Sequence, residues 1–227
     1  MKYRNIARQA GFTLVEIAIV LVIIGLLLGG VLKGQEMIEN AKIKNGINDL
    51  NGVVAAYNSY IDRYKALPGD DGAAAGAVAL LQARGGPWAT ITAAGNANGV
   101  IGATQANVFT AGGEALAFWQ ALKAAGFVAG NPADTGVAAL PRNAFNGLTG
   151  VGAGVGAAAT ARFSVCLSQV PGKAARAIDI QLDDGVSNTG SITATVGATG
   201  ANTAPGVVAA APANYSDASI YTVCRTM

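Results

Sequence analysis

Two consecutive patterns of apolar positions at the start of the chain together predict one long helix. The first is an apolar run from Phe12 to Leu32 whose only charged residue is Glu16. A helix of about 20 apolar residues crosses the hydrocarbon core of a bilayer. Beyond the run, apolar residues continue at helical spacings of three and four, namely Ile43, Ile47, Leu50, Val54, Tyr57, Ile61 and Tyr64. The Leu-Pro-Gly sequence at 67–69 ends the pattern, so the prediction is a single helix over 12–64, roughly 80 Å long.

The rest of the chain predicts short elements. A helix is predicted over 114–126, where Leu116, Trp119 and Leu122 share one apolar face. The segment 171–185 begins with proline and ends with glycine, as helices often do, although its apolar positions also alternate as in a strand. We favour the helix there. Alternating apolar positions predict strands at 161–168, 191–196 and 219–225.

Long stretches of alanine, glycine and asparagine separate these elements and predict loops. They cover 65–112, 148–161 and 197–214. The element order therefore predicts an α+β fold, in which the long N-terminal helix packs on a C-terminal head. The head is an antiparallel sheet of about three to five strands, and a long irregular insertion separates it from the helix.

Charge and composition restrict the function. Lys2, Arg4 and Arg8 precede the apolar run, and the positive-inside rule therefore places the N-terminus in the cytoplasm and the head outside. The formal net charge is +2, so no basic surface for nucleic acid is indicated. Histidine is absent, which excludes a Ser-His-Asp triad and histidine-containing metal sites.

Two cysteines occur, Cys166 and Cys224. In an exported head they predict a disulfide rather than two free thiols. Closing a loop of this length stabilises a fold by roughly 4 kcal/mol in the chain-entropy model.

An ordinary secretory signal peptide and a plain membrane anchor are the alternatives for the apolar run. The run is longer than a typical signal core, and no clear small-residue cleavage site follows it. A plain anchor leaves Glu16 unexplained, because a carboxylate within an apolar span disfavours insertion.

The sequence Gly11-Phe12-Thr13-Leu14-Val15-Glu16 after a short basic leader resembles the class III signal of type IV prepilins and type II secretion pseudopilins. The resemblance implies a pilin-like fold and four parts: a leader (1–11), a transmembrane and assembly helix (12–33), its amphipathic continuation (34–64) and a globular head (65–227). The sequence differs from that of many pilins at Lys33, where they have proline.

In that family, prepilin peptidase cuts after the glycine and methylates the new N-terminus, which here implies a cut between Gly11 and Phe12. The carboxylate of Glu16 then meets the N-terminal amine of another subunit in the filament. The implied partners are the prepilin peptidase/methyltransferase, the inner-membrane assembly platform, other pilin subunits and, before assembly, membrane lipid. Less specifically, the motifs LPGDD, FWQALKAAG, VPGKAARAIDIQLDDG and YTVC resemble a group of bacterial prepilin-like proteins.

Two pairs of acids are the remaining candidates for a site. We consider Asp183 and Asp184 as candidate calcium ligands and Asp70-Asp71 as a second pair, against the alternative that each pair only stabilises a turn. Catalytic residues and cofactors other than calcium are not predicted. Trp88 and Trp119 are expected in the core, and the tyrosines of the long helix, Tyr57, Tyr60 and Tyr64, are expected to pack against the sheet.

We therefore expect a non-enzymatic structural subunit, a major or minor pilin of a type IV pilus or related filament. A type II secretion pseudopilin is the alternative within the family, and a membrane-anchored adhesin that does not polymerise is the alternative of another class. The expected location is the inner membrane, with the head periplasmic or extracellular, followed by a filament.

Overall fold

The structure, a computed structural model, describes residue 11 and the ranges 13–72, 78–153, 163–206 and 214–227. The predicted leader up to residue 10 and Phe12 lie outside these residues, as do the first two residues of the strand predicted at 161–168. The chain divides into two compact units, residues up to Ala41 and residues from Lys42 onward. Each unit is considered by itself.

The first unit is helical. Helix α1 spans Leu14–Tyr64 and passes uninterrupted through Gly25, Gly29 and Gly30. Within the unit its side chains are almost all exposed. The long helix was therefore predicted correctly, with its C-terminal end at Tyr64.

In the second unit, one face of α1 is buried. The buried positions recur every three or four residues, as expected for a helix that packs along one side, and they are Ile43, Gly46, Leu50, Val53, Ala56 and Tyr60. Ile47, Val54, Tyr57 and Tyr64 were predicted on this face but are only partly buried. The face is rotated toward Gly46 and Ala56 because small side chains permit close approach. A Cβ atom at Gly46 would lie 2.9 Å from the ring of Phe145.

An antiparallel sheet of four strands forms the core of this unit in the order β1-β2-β4-β3. The strands are β1 (Thr149–Ala153), β2 (Phe163–Pro171), β3 (Ile192–Gly197) and β4 (Ile220–Thr226). The α+β prediction is thus confirmed, and β2, β3 and β4 lie close to the predicted strands.

Among the described residues, three shorter α-helices accompany the sheet: α2 (Val78–Gln82), α3 (Glu114–Ala124) and α4 (Gly172–Leu182). The helix favoured for 171–185 is confirmed. Helix α3 also forms where predicted, but it is buried on nearly every side rather than along one face, with Leu116 only partly buried. Trp88 and Trp119 both lie in the core.

The loop predictions were wrong in two places. The segment 65–112 contains α2 and two 3₁₀ helices, and it buries Leu81, Trp88 and Ile91. The segment 148–161 contains β1, which lacks the apolar alternation of an ordinary strand because another segment packs directly on it. A Cβ atom at Gly150 would lie 2.1 Å from the carbonyl oxygen of Val108.

Candidate functional site

The N-terminal end of α1 begins with a reciprocal pair of hydrogen bonds between Thr13 and Glu16. The backbone N–H and the hydroxyl of Thr13 each donate to Oε2 of Glu16, both at 2.8 Å. The backbone N–H of Glu16 donates to the Thr13 hydroxyl at 3.2 Å. This is a capping box, which satisfies donors at the helix start that have no partner within the helix. The Thr-x-x-Glu spacing signals it in the sequence, and our sequence analysis missed it.

The bond predicted to be cut lies next to this cap. Gly11 is exposed, and no atom lies within 4 Å of the position that a Cβ would occupy there. Phe12, on the other side of the bond, is outside the described residues. The glycine therefore offers a peptide bond without an obstructing side chain on its own side.

The first part of α1 presents a continuous apolar surface. Leu14, Leu21 and Leu26 are 92%, 63% and 74% exposed. Among the described residues, α1 is the one helix long and apolar enough to cross a membrane, and the most apolar stretch of it is unburied. This surface is what lipid or another apolar helix would cover.

Residues 6–32 match the family model described as the prokaryotic N-terminal methylation motif. The chain carries a type IV pilin-like class III signal. The match includes Gly11, Phe12, Thr13 and Glu16 and ends at Leu32, the last residue of the apolar run. Comparison with curated proteins and with solved structures gives no match.

A disulfide joins the predicted pair of cysteines in the second unit. Cys166 on β2 lies directly opposite Cys224 on β4, and their sulfur atoms are bonded. Both residues are buried. The bond therefore links two neighbouring strands in the middle of the sheet.

The first pair of acids, Asp70 and Asp71, fastens two parts of the long insertion. The carboxylate of Asp70 accepts the backbone N–H groups of Asn98 and Gly99, at 3.0 and 2.8 Å. Asp71 accepts two hydrogen bonds from the guanidinium of Arg84, at 2.9 and 3.2 Å. Both carboxylates are buried and occupied by the chain itself, which favours the structural interpretation of this pair.

Arg84 and Asp71 belong to a cluster that includes aromatic residues of α1. The hydroxyl of Tyr60 donates to Asp71 at 2.5 Å. The Arg84 guanidinium lies 4.9 Å from the ring centre of Tyr64 and 4.6 Å from that of Trp88. A cation over aromatic faces and a bidentate ion pair are both favourable. Tyr60 and Tyr64 therefore attach the insertion to α1, a contact that the predicted packing against the sheet did not include.

The second pair of acids has a third member that sequence reasoning missed. Carboxylate oxygens of Asp179, Asp183 and Asp184 lie within 4.8 Å of one another. Asp179 lies in the last turn of α4, one helical turn before Asp183. A search for adjacent acids in the sequence therefore does not find it. Three carboxylates at this spacing are a chemically suitable set for calcium.

Donors of the chain already contact each of the three acids. Asp183 accepts the backbone N–H groups of Ser191 and Ile192, the latter at 2.9 Å. Asp184 accepts the N–H of Val186 at 2.8 Å and the hydroxyl of Thr189, and these hydrogen bonds lower the pKa of Asp184.

Asp179 differs in its environment. It accepts the hydroxyl of Tyr215 at 2.6 Å and the backbone N–H of Gly185 at 3.2 Å. Burial raises the pKa of Asp179, and these two hydrogen bonds oppose that shift. The three acids thus organise the loop from Asp183 to Ile192, and Asp183 and Asp184 stay candidate calcium ligands.

Two buried side-chain amides, Gln120 and Asn143, also hold loops in place through hydrogen bonds to the backbone. The sequence analysis did not identify either. Oε1 of Gln120 accepts the N–H groups of Thr92 and Ala93, both at 2.9 Å, and its Nε2 donates to the carbonyl of Asp134 at 3.0 Å. Asn143 donates to the carbonyl oxygens of Leu148 and Ser168. The partners of Gln120 lie far away in sequence, whereas Asn143 joins its own turn to Ser168 on β2.

Proposed function

We propose that the chain is a structural subunit, a major or minor pilin, of a type IV pilus or a related filament. The observation that carries this proposal is the methylation motif at residues 6–32. It coincides with an exposed apolar helix surface that needs a partner. The motif is typical of structural rather than enzymatic proteins.

Processing follows from the order of the segments. Prepilin peptidase cuts between Gly11 and Phe12 and methylates Phe12. A cut before the apolar run leaves the run on the protein, unlike the cut of a secretory signal peptidase after it. The subunit then waits in the inner membrane as a single-pass protein, with its N-terminus in the cytoplasm and its head outside, until an assembly platform moves it into the filament.

Glu16 supplies the polar part of an otherwise apolar assembly surface. In the single chain its carboxylate is held by Thr13. In a filament the new N-terminal amine of another subunit pairs with it, because a buried charge without a partner is costly. The pairing selects the correctly staggered neighbour.

The same motif also supports a pseudopilin of a type II secretion system. Neighbouring genes distinguish the two: a retraction ATPase beside the assembly ATPase indicates a pilus, and an outer-membrane secretin among secretion genes indicates a pseudopilus. A membrane-anchored adhesin that does not polymerise is the contrasting class, and it predicts no need for a cut at Gly11.

Mass spectrometry of the mature protein tests the proposal. We expect an N-terminal methyl-phenylalanine at Phe12 in cells with active prepilin peptidase, and the uncut chain in cells that lack it. An intact leader in peptidase-positive cells, or a cut at the end of the apolar run, would overturn the proposal.

A further inference from the structure

A groove beside the second half of α1 is unused by the function proposed so far. Its volume is about 220 Å³, and it lies within the second unit. The lining comes from three separate parts of the chain: Asn48, Asp49, Gly52 and Val53 of α1, Phe127 and Val128 after α3, and Pro141, Arg142 and Thr149 around the start of β1.

The groove combines apolar walls with two opposite charges. Val53, Phe127 and Pro141 form apolar lining, and Asp49 and Arg142 supply a carboxylate and a guanidinium. Asp49 is half-buried and accepts the backbone N–H of Ala144. Neither charge takes part in an ion pair among the described residues.

The size of the groove favours a protein side chain over a metabolite. Pockets for small molecules usually enclose about 300–1,000 Å³, and this groove is smaller. No atom lies within 4 Å of a Cβ placed on Gly52, so the helix surface there is open. A long side chain with an apolar stem and a charged end fits these walls and the carboxylate.

The segment of α1 at 36–44 has the complementary chemistry. Met37 and Ile38 are 64% and 60% exposed, although they lie beyond the apolar run. Lys42 is exposed, and Glu36 and Glu39 precede it. Glu36 already pairs with Lys33, so the segment offers apolar surface and the exposed amine of Lys42.

The spacing of the two charges on α1 is compatible with parallel copies. Lys42 and Asp49 both lie on α1 within the second unit. A displacement of one copy by seven residues, about 10.5 Å, toward the C-terminal end of α1 brings its Lys42 level with Asp49 of the other.

We propose that the Asp49 groove binds the 36–44 segment of α1 from a second copy of this chain, with Lys42 paired to Asp49. The inference rests on the proposed function, since it needs copies side by side. It adds a second charge pair, located in the second half of α1, to the pair at Glu16. Two pairs separated along the helix restrict the stagger more than one.

Zero-length cross-linking of sheared filaments with a carbodiimide tests the pairing directly. We expect an amide bond between the Asp49 carboxylate and the Lys42 amine in wild-type filaments. Filaments grown from mixed ¹⁴N and ¹⁵N cultures show whether the two residues come from different copies. Asp49→Asn removes the cross-link, while Asp62→Asn, an exposed acid on the same helix, leaves it unchanged.

Charge exchange provides the second arm. Asp49→Lys places like charges together and is expected to lower filament yield about tenfold, the factor that corresponds to 1.4 kcal/mol, and Lys42→Asp does the same. The double exchange restores the yield. Lys65→Gln, an exposed lysine near the end of α1, is the matched control and leaves the yield unchanged.

The outcomes separate this inference from the proposed function. The groove pairing is refuted if wild-type filaments carry methylated Phe12 but give no intermolecular Asp49–Lys42 cross-link, and if Asp49→Lys gives a normal filament yield. That result leaves the pilin proposal intact. If the chain is neither cut nor methylated and forms no filament in its own cells, both the groove pairing and the pilin proposal are refuted.

Discussion

At the scale of single residues, glycines mark positions where two backbones meet. Gly150 lies in β1 beneath the segment around Val108, and a Cβ there would contact the Val108 carbonyl oxygen at 2.1 Å and the ring of Phe109 at 2.9 Å. A carbonyl group of the backbone cannot rotate away as a side chain does. The glycine is therefore required by packing rather than by its own dihedral angles.

Gly150→Ala tests this requirement. We expect it to lower the free energy of unfolding by about 1–3 kcal/mol, the usual cost of overpacking. Gly112→Ala is the matched control, because Gly112 is exposed and has open space around it. Urea denaturation of the full chain in detergent measures both. Equal stability of the two variants would contradict the packing argument.

Residue chemistry that depends on distant partners escapes prediction from sequence. The motif that contains Gly11, Phe12 and Glu16 was recognised because it is local. Gln120 was not singled out, since its partners lie at other places in the chain. The groove at Asp49 escaped for the same reason, because segments distant in sequence form it.

At the scale of elements, apolar periodicity predicted helix α1 and strands β2 to β4, and all four were found. The central strands β2 and β4 are nevertheless buried on both faces. β1 was missed because its glycines leave no alternation, and its strand conformation comes from pairing with β2. Helix α4 was ambiguous because 178–182 alternates, yet the burial of Ala174, Ala175 and Ile178 follows the helical spacing.

The disulfide between β2 and β4 is expected to contribute to the stability of the head. Replacing Cys166 or Cys224 with alanine should cost about 2–5 kcal/mol, because the unfolded chain loses a covalent loop. The double replacement should cost no more than the worse single one. Urea denaturation under non-reducing conditions measures the differences. Variants as stable as the wild type would show that the sheet does not depend on the bond.

The outer edge of β3 is covered by the loop that the three acids organise. The backbone N–H of Ala194 donates to the carbonyl of Ser187 at 2.7 Å, and that of Ile192 donates to Asp183. Covered edges do not add further strands, which protects a sheet from aggregation. The loop thus has a structural task that needs no metal ion.

Chelation tests the calcium prediction for this loop. We expect millimolar EDTA to leave the thermal midpoint of the full chain unchanged, because Asp179, Asp183 and Asp184 already accept hydrogen bonds from the chain. Differential scanning fluorimetry with added calcium, and with magnesium as the control, measures the midpoint. A rise specific to calcium would show that Asp183 and Asp184 hold the ion.

At the scale of the whole molecule, the N-terminal segment and the head are specified by the sequence in different ways. The N-terminal motif is short and local, so its resemblance to a pilin-like signal can be recognised from residues 6–32 alone. The head is specified by long-range packing. Its sequence therefore predicted a fold class, but not the groove through which copies are proposed to recognise one another.

Two substitutions at Glu16 can separate its two roles in the molecule. The residue caps α1 through Thr13, and it is proposed to pair with a neighbour's amine. Glu16→Ala removes both roles, whereas Glu16→Gln removes the charge and keeps a side chain that completes a capping box. Membrane insertion and cleavage after Gly11 should survive in both variants, because the residues beside the cut bond are unchanged.

Filament recovery decides between the roles. If the charge assembles the filament, both variants lower the yield by at least about tenfold, since an unpaired buried charge costs about 3–5 kcal/mol. If the cap alone matters, Glu16→Gln assembles normally and Glu16→Ala does not. Sheared filaments from cells with the variant as sole copy, beside a blot of the membrane fraction, provide the measurement. Normal assembly of correctly cut Glu16→Gln would remove the charge pair from the mechanism, and normal assembly of Glu16→Ala would remove Glu16 from it entirely.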